Sequence, residues 1–84
     1  MKLVFADGAW EDYLYWQQQD RRMVERINKL IRETQSEFFA GIGKPEPLKH
    51  ALAGFWSRRI TDEHRMVYKF EGDALLIAQL RYHY

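Results

Sequence analysis

The residues Arg81-Tyr82-His83-Tyr84 follow directly on the apolar run Ala74-Leu75-Leu76-Ile77-Ala78-Gln79-Leu80. That run reads as a well-anchored strand, which holds a titratable imidazole at the rim of a sheet. A histidine so placed gains chemical meaning when a carboxylate and cations accompany it. Glu46 is the candidate carboxylate, because Pro45 and Pro47 flank it. Proline fixes its own φ and pushes the residue before it to extended geometry, so the segment is stiff. Lys44, Lys49 and His50 lie beside it, and Arg58, Arg59 and Arg65 fall close together further on. Nearby cations favour an ionised carboxylate, while partial burial opposes ionisation.

Carboxylate, guanidinium and imidazole together match what metal-free RNA cleavage requires. A base takes the proton from a ribose 2′-OH, which attacks the adjacent phosphorus, and an acid protonates the departing 5′-oxygen. Cations stabilise the extra charge on the pentavalent phosphate. An ordinary imidazole, with a pKa of about 6.5, can be that acid, although only a minority is protonated at neutral pH. The sequence holds no cysteine, Glu63 and His64 are adjacent, and the three histidines are scattered, so neither a metal site nor a cofactor is expected. Each residue also has a plain structural reading. The three arginines can form a solvated sheet face, and Glu46 can be a simple loop carboxylate. Trp10, Tyr13 and Trp16 read as core and helix–helix packing rather than a base-stacking platform. Trp56 and His64 read as structural.

These groups need elements to position them. Lys2 to Ala6 reads as a short strand ended by Asp7, a helix N-cap residue. A first helix runs to about Gln19, with Trp10, Tyr13, Leu14 and Gln17 at helical spacing. Asp20 caps a second helix to about Glu37, whose apolar stripe is Met23, Val24, Ile27, Leu30 and Ile31. From Phe38 to Gly54 the glycines and prolines forbid a long regular element and predict a structured loop. Strands follow at Phe55–Ile60, Arg65–Phe70 and Ala74–Tyr82, joined by links of hairpin length. The order β-α-α-loop-β-β-β predicts an α+β fold: one small domain over residues 1–84, a mostly antiparallel sheet and two helices on one face.

Alternation along the strands sorts the side chains. Met66, Tyr68 and Phe70 point to the helices, and Arg65, Val67 and Lys69 point away. On the last strand Leu76, Ala78 and Leu80 share the apolar face, and Gln79, Arg81 and His83 the polar one. Arg59, Arg65, Lys69, Gln79, Arg81 and His83 thus gather on one sheet face. Tyr84 falls on the other unless the strand has already ended.

Composition narrows the partners. The formal net charge is only +1, which argues against holding nucleic acid by bulk electrostatics alone. The charge is uneven: residues 43–84 carry seven Lys/Arg against five Asp/Glu, so a polyanion site belongs to that half. Only four apolar residues precede Asp7 after the opening Met1-Lys2, and no run approaches about 20 apolar residues. A soluble, cytoplasmic protein without a membrane partner is the expectation.

The stretches Gly43-Lys44-Pro45-Glu46-Pro47-Leu48-Lys49-His50, Gly54-Phe55-Trp56-Ser57-Arg58-Arg59-Ile60, Glu63-His64-Arg65-Met66-Val67-Tyr68 and Arg81-Tyr82-His83-Tyr84 closely resemble the YoeB family. These are toxins of bacterial type II toxin–antitoxin pairs, within the RelE-like superfamily. The resemblance spans the chain, including Trp10, Tyr13, Tyr15 and Trp16. It implies a fold akin to small microbial ribonucleases and cleavage of translated mRNA in the ribosomal A site on the small subunit. It also implies neutralisation by a YefM-like antitoxin, operator DNA binding only in complex with that antitoxin, and room for a homodimer. Carried over by position, Glu46 is the general base, His83 the general acid, Arg65 the phosphate stabiliser and Tyr84 an orienting group. Lys49 and Arg59 assist with charge and backbone binding, and Lys44 and Arg81 join them as RNA- or phosphate-binding candidates. The differing residues Gln35-Ser36-Glu37 and Ala40-Gly41-Ile42 bear on partner specificity more than on chemistry. A rival reading is a catalytically silent antitoxin-binding module acting in operon autoregulation. Intact Glu46, Arg65 and His83 argue against it, because a pure binding module has no need of that combination.

Overall fold

Asp20 ends one helix and begins the next. Its N–H donates to Trp16 O at 2.9 Å and its carboxylate accepts from Arg22 N at 3.0 Å, in a computed structural model that describes residues 1–83. The elements are β1 (Lys2–Phe5), α1 (Asp7–Gln19), α2 (Arg21–Ser36), β2 (Glu46–Pro47), β3 (Trp56–Arg59), β4 (Arg65–Glu71) and β5 (Ala74–Gln79). A single 3₁₀ turn spans His50–Leu52. The sheet order is β1-β5-β4-β3-β2, with β1 parallel to β5 and every other pair antiparallel. The α+β class and the two helices on a mostly antiparallel sheet are as the sequence predicts.

The apolar stripe of α2 packs as its spacing requires: Met23, Ile27, Leu30 and Ile31 are buried against Met66, Tyr68, Leu75, Ile77 and Leu80 of the sheet side. Helix α1 departs from expectation. Its buried residues are Ala9 and Trp16, while Trp10 and Leu14 are exposed. The cap also lies one residue earlier, at Ala6, whose N–H is still held by Ile77 O at 2.9 Å as a continuation of the sheet. Asp7 is the first helical residue, where its charge still suits the helix dipole.

Strand β5 corrects the expected facing. Tyr68 pairs with Ile77 and Val67 with Gln79, so Ala78 is one extra residue in a β-bulge. Leu75 and Ile77, rather than Leu76, are therefore the core residues, and Gln79 and Leu80 return to the expected faces. The strand also stops at Gln79, short of Tyr82. The 38–54 loop is more regular than expected, since β2 pairs Glu46 with Ser57 and Pro47 with Trp56.

Arg58 belongs to no solvated face. It is fully buried, and its Nε donates to Tyr68 Oη at 3.2 Å. Nη1 donates to Ile42 O at 3.0 Å, and Nη2 donates to Ala40 O at 2.9 Å and to Glu37 O. Carbonyl dipoles thus replace the water that the guanidinium loses. Arg58→Met should cost about 3 kcal/mol in urea unfolding, because three loop carbonyls and the Tyr68 hydroxyl lose their donor. Burial pushes the Tyr68 phenol above its ordinary pKa of 10.0, with the Arg58 hydrogen bond and charge opposing. The unfolded chain therefore loses this proton first as pH rises. Stability held below about pH 10 should decline above it, and more steeply in the wild type than in Tyr68→Phe. Chemical denaturation between pH 9 and 11 measures the difference.

Candidate active site

Pairing across β2, β3, β4 and β5 sets Glu46, Ser57, Val67 and Gln79 in one row on the sheet face away from the helices. Ser57 and Val67 are small and buried, and make a floor between longer polar neighbours. One step along β3 and β4, Arg59 lies directly opposite Arg65. A cavity of about 80 Å³ opens here, lined by Gly43, Lys44, Glu46, Ser57, Arg59 and Arg65. Four of the residues singled out from the sequence thus meet: one carboxylate and three cations.

Gly43 brings the loop onto this wall. Its carbonyl accepts from Arg59 N at 2.6 Å, and its φ is +82°. A Cβ there would lie 2.8 Å from Leu30 Cδ2 and 3.1 Å from Arg59 O. Only glycine fits both the conformation and the space.

Arg65 is held by its own hairpin link. Nη1 donates to Thr61 O at 2.6 Å, Asp62 O at 3.0 Å and His64 O at 3.2 Å. These bonds all use Nη1, so they leave the rest of the guanidinium fork uncommitted by them. Arg59 Nη1 lies 3.6 Å from Asp62 Oδ1, an exposed pair of little energetic weight.

His83 reaches the same link. Its Nε2 lies 3.1 Å from Asp62 O, and since a carbonyl only accepts, Nε2 donates. The Asp62 carbonyl therefore ties the imidazole and the Arg65 guanidinium to one atom. The expectation that a strand running to Tyr82 holds His83 at its rim is replaced by a turn: the ladder has ended at Gln79, and Tyr82 has φ +64°. Tyr84 lies outside the described residues.

Two cations do not line the cavity. Lys49 is exposed at the head of the 3₁₀ turn. Arg81 stacks its guanidinium 3.5 Å from the Tyr15 ring centroid and 4.7 Å from that of Tyr82, and Nη2 donates to Tyr82 Oη at 3.0 Å. That cation is spent on aromatic faces. Sequence reasoning missed Gly43 and Ser57 as wall residues, and Asp62 as the carbonyl that holds both Arg65 and His83. Ser57, a small residue amid Trp56, Arg58 and Arg59, was the available signal.

The architecture is that of the small α+β RelE-like toxins. The family model for the YoeB-like toxin of bacterial type II toxin–antitoxin systems matches residues 5–84. Toxin YoeB of Escherichia coli K12 is 61% identical over 84 residues, covering 100% of both chains. A YoeB/ParE toxin from Agrobacterium tumefaciens superposes with a TM-score of 0.98 at 56% identity, covering 100% of both chains. YoeB of Staphylococcus aureus is 45% identical and covers 100% of this chain and 98% of its own. It has been solved as a dimer (TM-score 0.93) and in a heterotetrameric YoeB–YefM toxin–antitoxin complex (TM-score 0.91). This chain belongs to the YoeB-like toxin family.

Gly43→Ala should destabilise the protein by about 1–3 kcal/mol, read as a lower midpoint in denaturant, because a strained φ coincides there with a clash against the Leu30 side chain and a tight approach to Arg59 O.

Proposed function

We propose that this toxin is a ribosome-dependent endoribonuclease that cuts translated mRNA in the A site. The observation that supports it is the joining of Glu46, Lys44, Arg59 and Arg65 around one cavity, with His83 fixed on the carbonyl that also fixes Arg65. Glu46, as carboxylate, takes the 2′-OH proton, and O2′ forms a bond to phosphorus. Arg65 and Arg59 meet the charge that builds on the phosphoryl oxygens, with Lys44 in the same lining. His83 gives a proton to O5′ as the P–O5′ bond breaks. The products are a 2′,3′-cyclic phosphate and a 5′-hydroxyl. In the free protein the Nε2–H of His83 is bonded to Asp62 O, so a substrate oxygen competes with a carbonyl for it. Tyr84 orients the substrate, and Lys49 contacts RNA from outside the cavity.

Size and charge support the dependence on the ribosome. A cavity of about 80 Å³ is too small to enclose a nucleotide, and a net charge of +1 supplies little pull on free RNA. The ribosome presents the codon and supplies most of the binding. A YefM-like antitoxin neutralises the toxin, a reading supported by the S. aureus complex, and operator DNA is bound only by that pair. The S. aureus dimer supports self-association. The protein acts in the cytoplasm, in keeping with the lack, among the described residues, of any helix long and apolar enough to cross a membrane.

Glu46→Ala and His83→Ala should each slow cleavage by about a hundredfold or more while keeping the native circular-dichroism spectrum. End mapping on a translating mRNA should show 5′-hydroxyl termini that vanish in both variants. Equal cleavage of naked and translated RNA would overturn ribosome dependence, and full activity in both variants would overturn the acid–base assignment.

A further inference from the structure

The geometry points to His64 as a positioning residue that clasps the terminal turn and so sets His83 beside Arg65; this rests on the reading of His83 as the general acid. Beyond Gln79 none of the described residues belongs to a strand, yet His83 must be placed within a fraction of an ångström to act. The backbone of Tyr82, one residue earlier, is gripped from both sides by consecutive residues of the β3–β4 hairpin. Tyr82 N donates to His64 Nδ1 at 2.7 Å, and Tyr82 O accepts from Arg65 N at 3.1 Å. The clasp and the phosphate-binding cation therefore belong to one dipeptide.

Tyr82 needs such a clasp. Its φ of +64° is left-handed, a conformation that costs a non-glycine residue about 1 kcal/mol or more and persists only where the surroundings over-determine it. Gln79 adds a second hold: its Nε2 donates to Arg81 O at 2.8 Å, His83 O at 3.1 Å and Tyr82 O at 3.3 Å. His64 in turn is fixed. Its ring meets Trp16 edge-on with centroids 4.9 Å apart, and its backbone N–H donates to Thr61 Oγ1 at 3.2 Å. Trp16 Nε1 donates to Leu80 O at 2.9 Å and Asp12 Oδ2 accepts from Leu80 N at 3.0 Å, so the root of the turn is anchored to α1. Because Nδ1 accepts an amide proton, it carries none itself, and an imidazole acceptor rather than the ring's bulk is what Tyr82 requires.

The test compares His64→Leu, which removes the acceptor, with His64→Asn, which returns an oxygen close to the Nδ1 position. Two readouts are taken on the full-length toxin: amide exchange at Tyr82 by NMR, and single-turnover cleavage on programmed ribosomes. His64→Leu should speed Tyr82 exchange and lower the cleavage rate constant about a hundredfold at unchanged ribosome affinity, with core amides still protected. His64→Asn should recover both to within about tenfold of wild type. Retained Tyr82 protection and rate in His64→Leu would overturn the clasp, as would a well-folded His64→Asn no better than His64→Leu. If the wild type cuts nothing, the nuclease reading fails by itself. Tyr82 exchange then decides the clasp alone: fast exchange confined to His64→Leu supports it, and unchanged protection overturns it.

Discussion

The buried Arg58 guanidinium is the constraint on which the site depends. A charge taken out of water must find oxygen atoms, and here they come from the backbone at Glu37, Ala40 and Ile42 and from the Tyr68 hydroxyl. The segment after α2 cannot leave the sheet without stranding that charge. Held there, the chain reaches Gly43 against Arg59 and then lays Glu46 beside Ser57. The candidate base on β2 is thus placed by a cation on the opposite face of the neighbouring strand, β3. Neighbours in a strand point to opposite faces, so Arg58 serves the core while Arg59 serves the cavity.

The cavity wall is arranged against stability. Arg59 and Arg65 face each other directly across antiparallel strands, an arrangement that like charges disfavour. Among the described residues Arg65 is steadied by three carbonyls and no carboxylate, while Arg59 has an exposed partner at 3.6 Å. Carbonyls hold a guanidinium in place without cancelling its charge, so the positive field stays available, as the proposed phosphate role requires. A tightly paired carboxylate at either position would stabilise the hairpin and blunt the site. The local conflict is what a phosphate-binding site is expected to retain.

The sequence disclosed the long-period features and hid those that depend on contact. The stripe of α2, the Asp20 junction and the hairpins were legible because each has a local cause. Glu46 was legible because two prolines isolate it. The burial of Arg58 was not: alternation parts it from Arg59, but the oxygens that let its charge be buried come from Tyr68 and from the distant loop carbonyls of Glu37, Ala40 and Ile42. Strict alternation misplaced Leu76 because a bulge is a property of two strands, seen only once Val67 and Tyr68 are paired. Arg81 was assigned to the polar face for the same reason, before the strand was known to stop and the guanidinium to lie on Tyr15.

The bulge and the early end of β5 act together. Without the extra residue at Ala78, Gln79 would face the helices and its amide would have no turn to hold. With it, Gln79 emerges on the outer face opposite Val67 and gathers the carbonyls of the next residues but one and beyond. A regular strand through Tyr82 would carry its last residues straight along the sheet, alternating in direction. A turn instead brings the Nε2 of His83 back to Asp62, in the link that also orients Arg65. One inserted residue in the ladder therefore decides which way the chain closes, and the chemistry assigned to His83 rests on that change of phase.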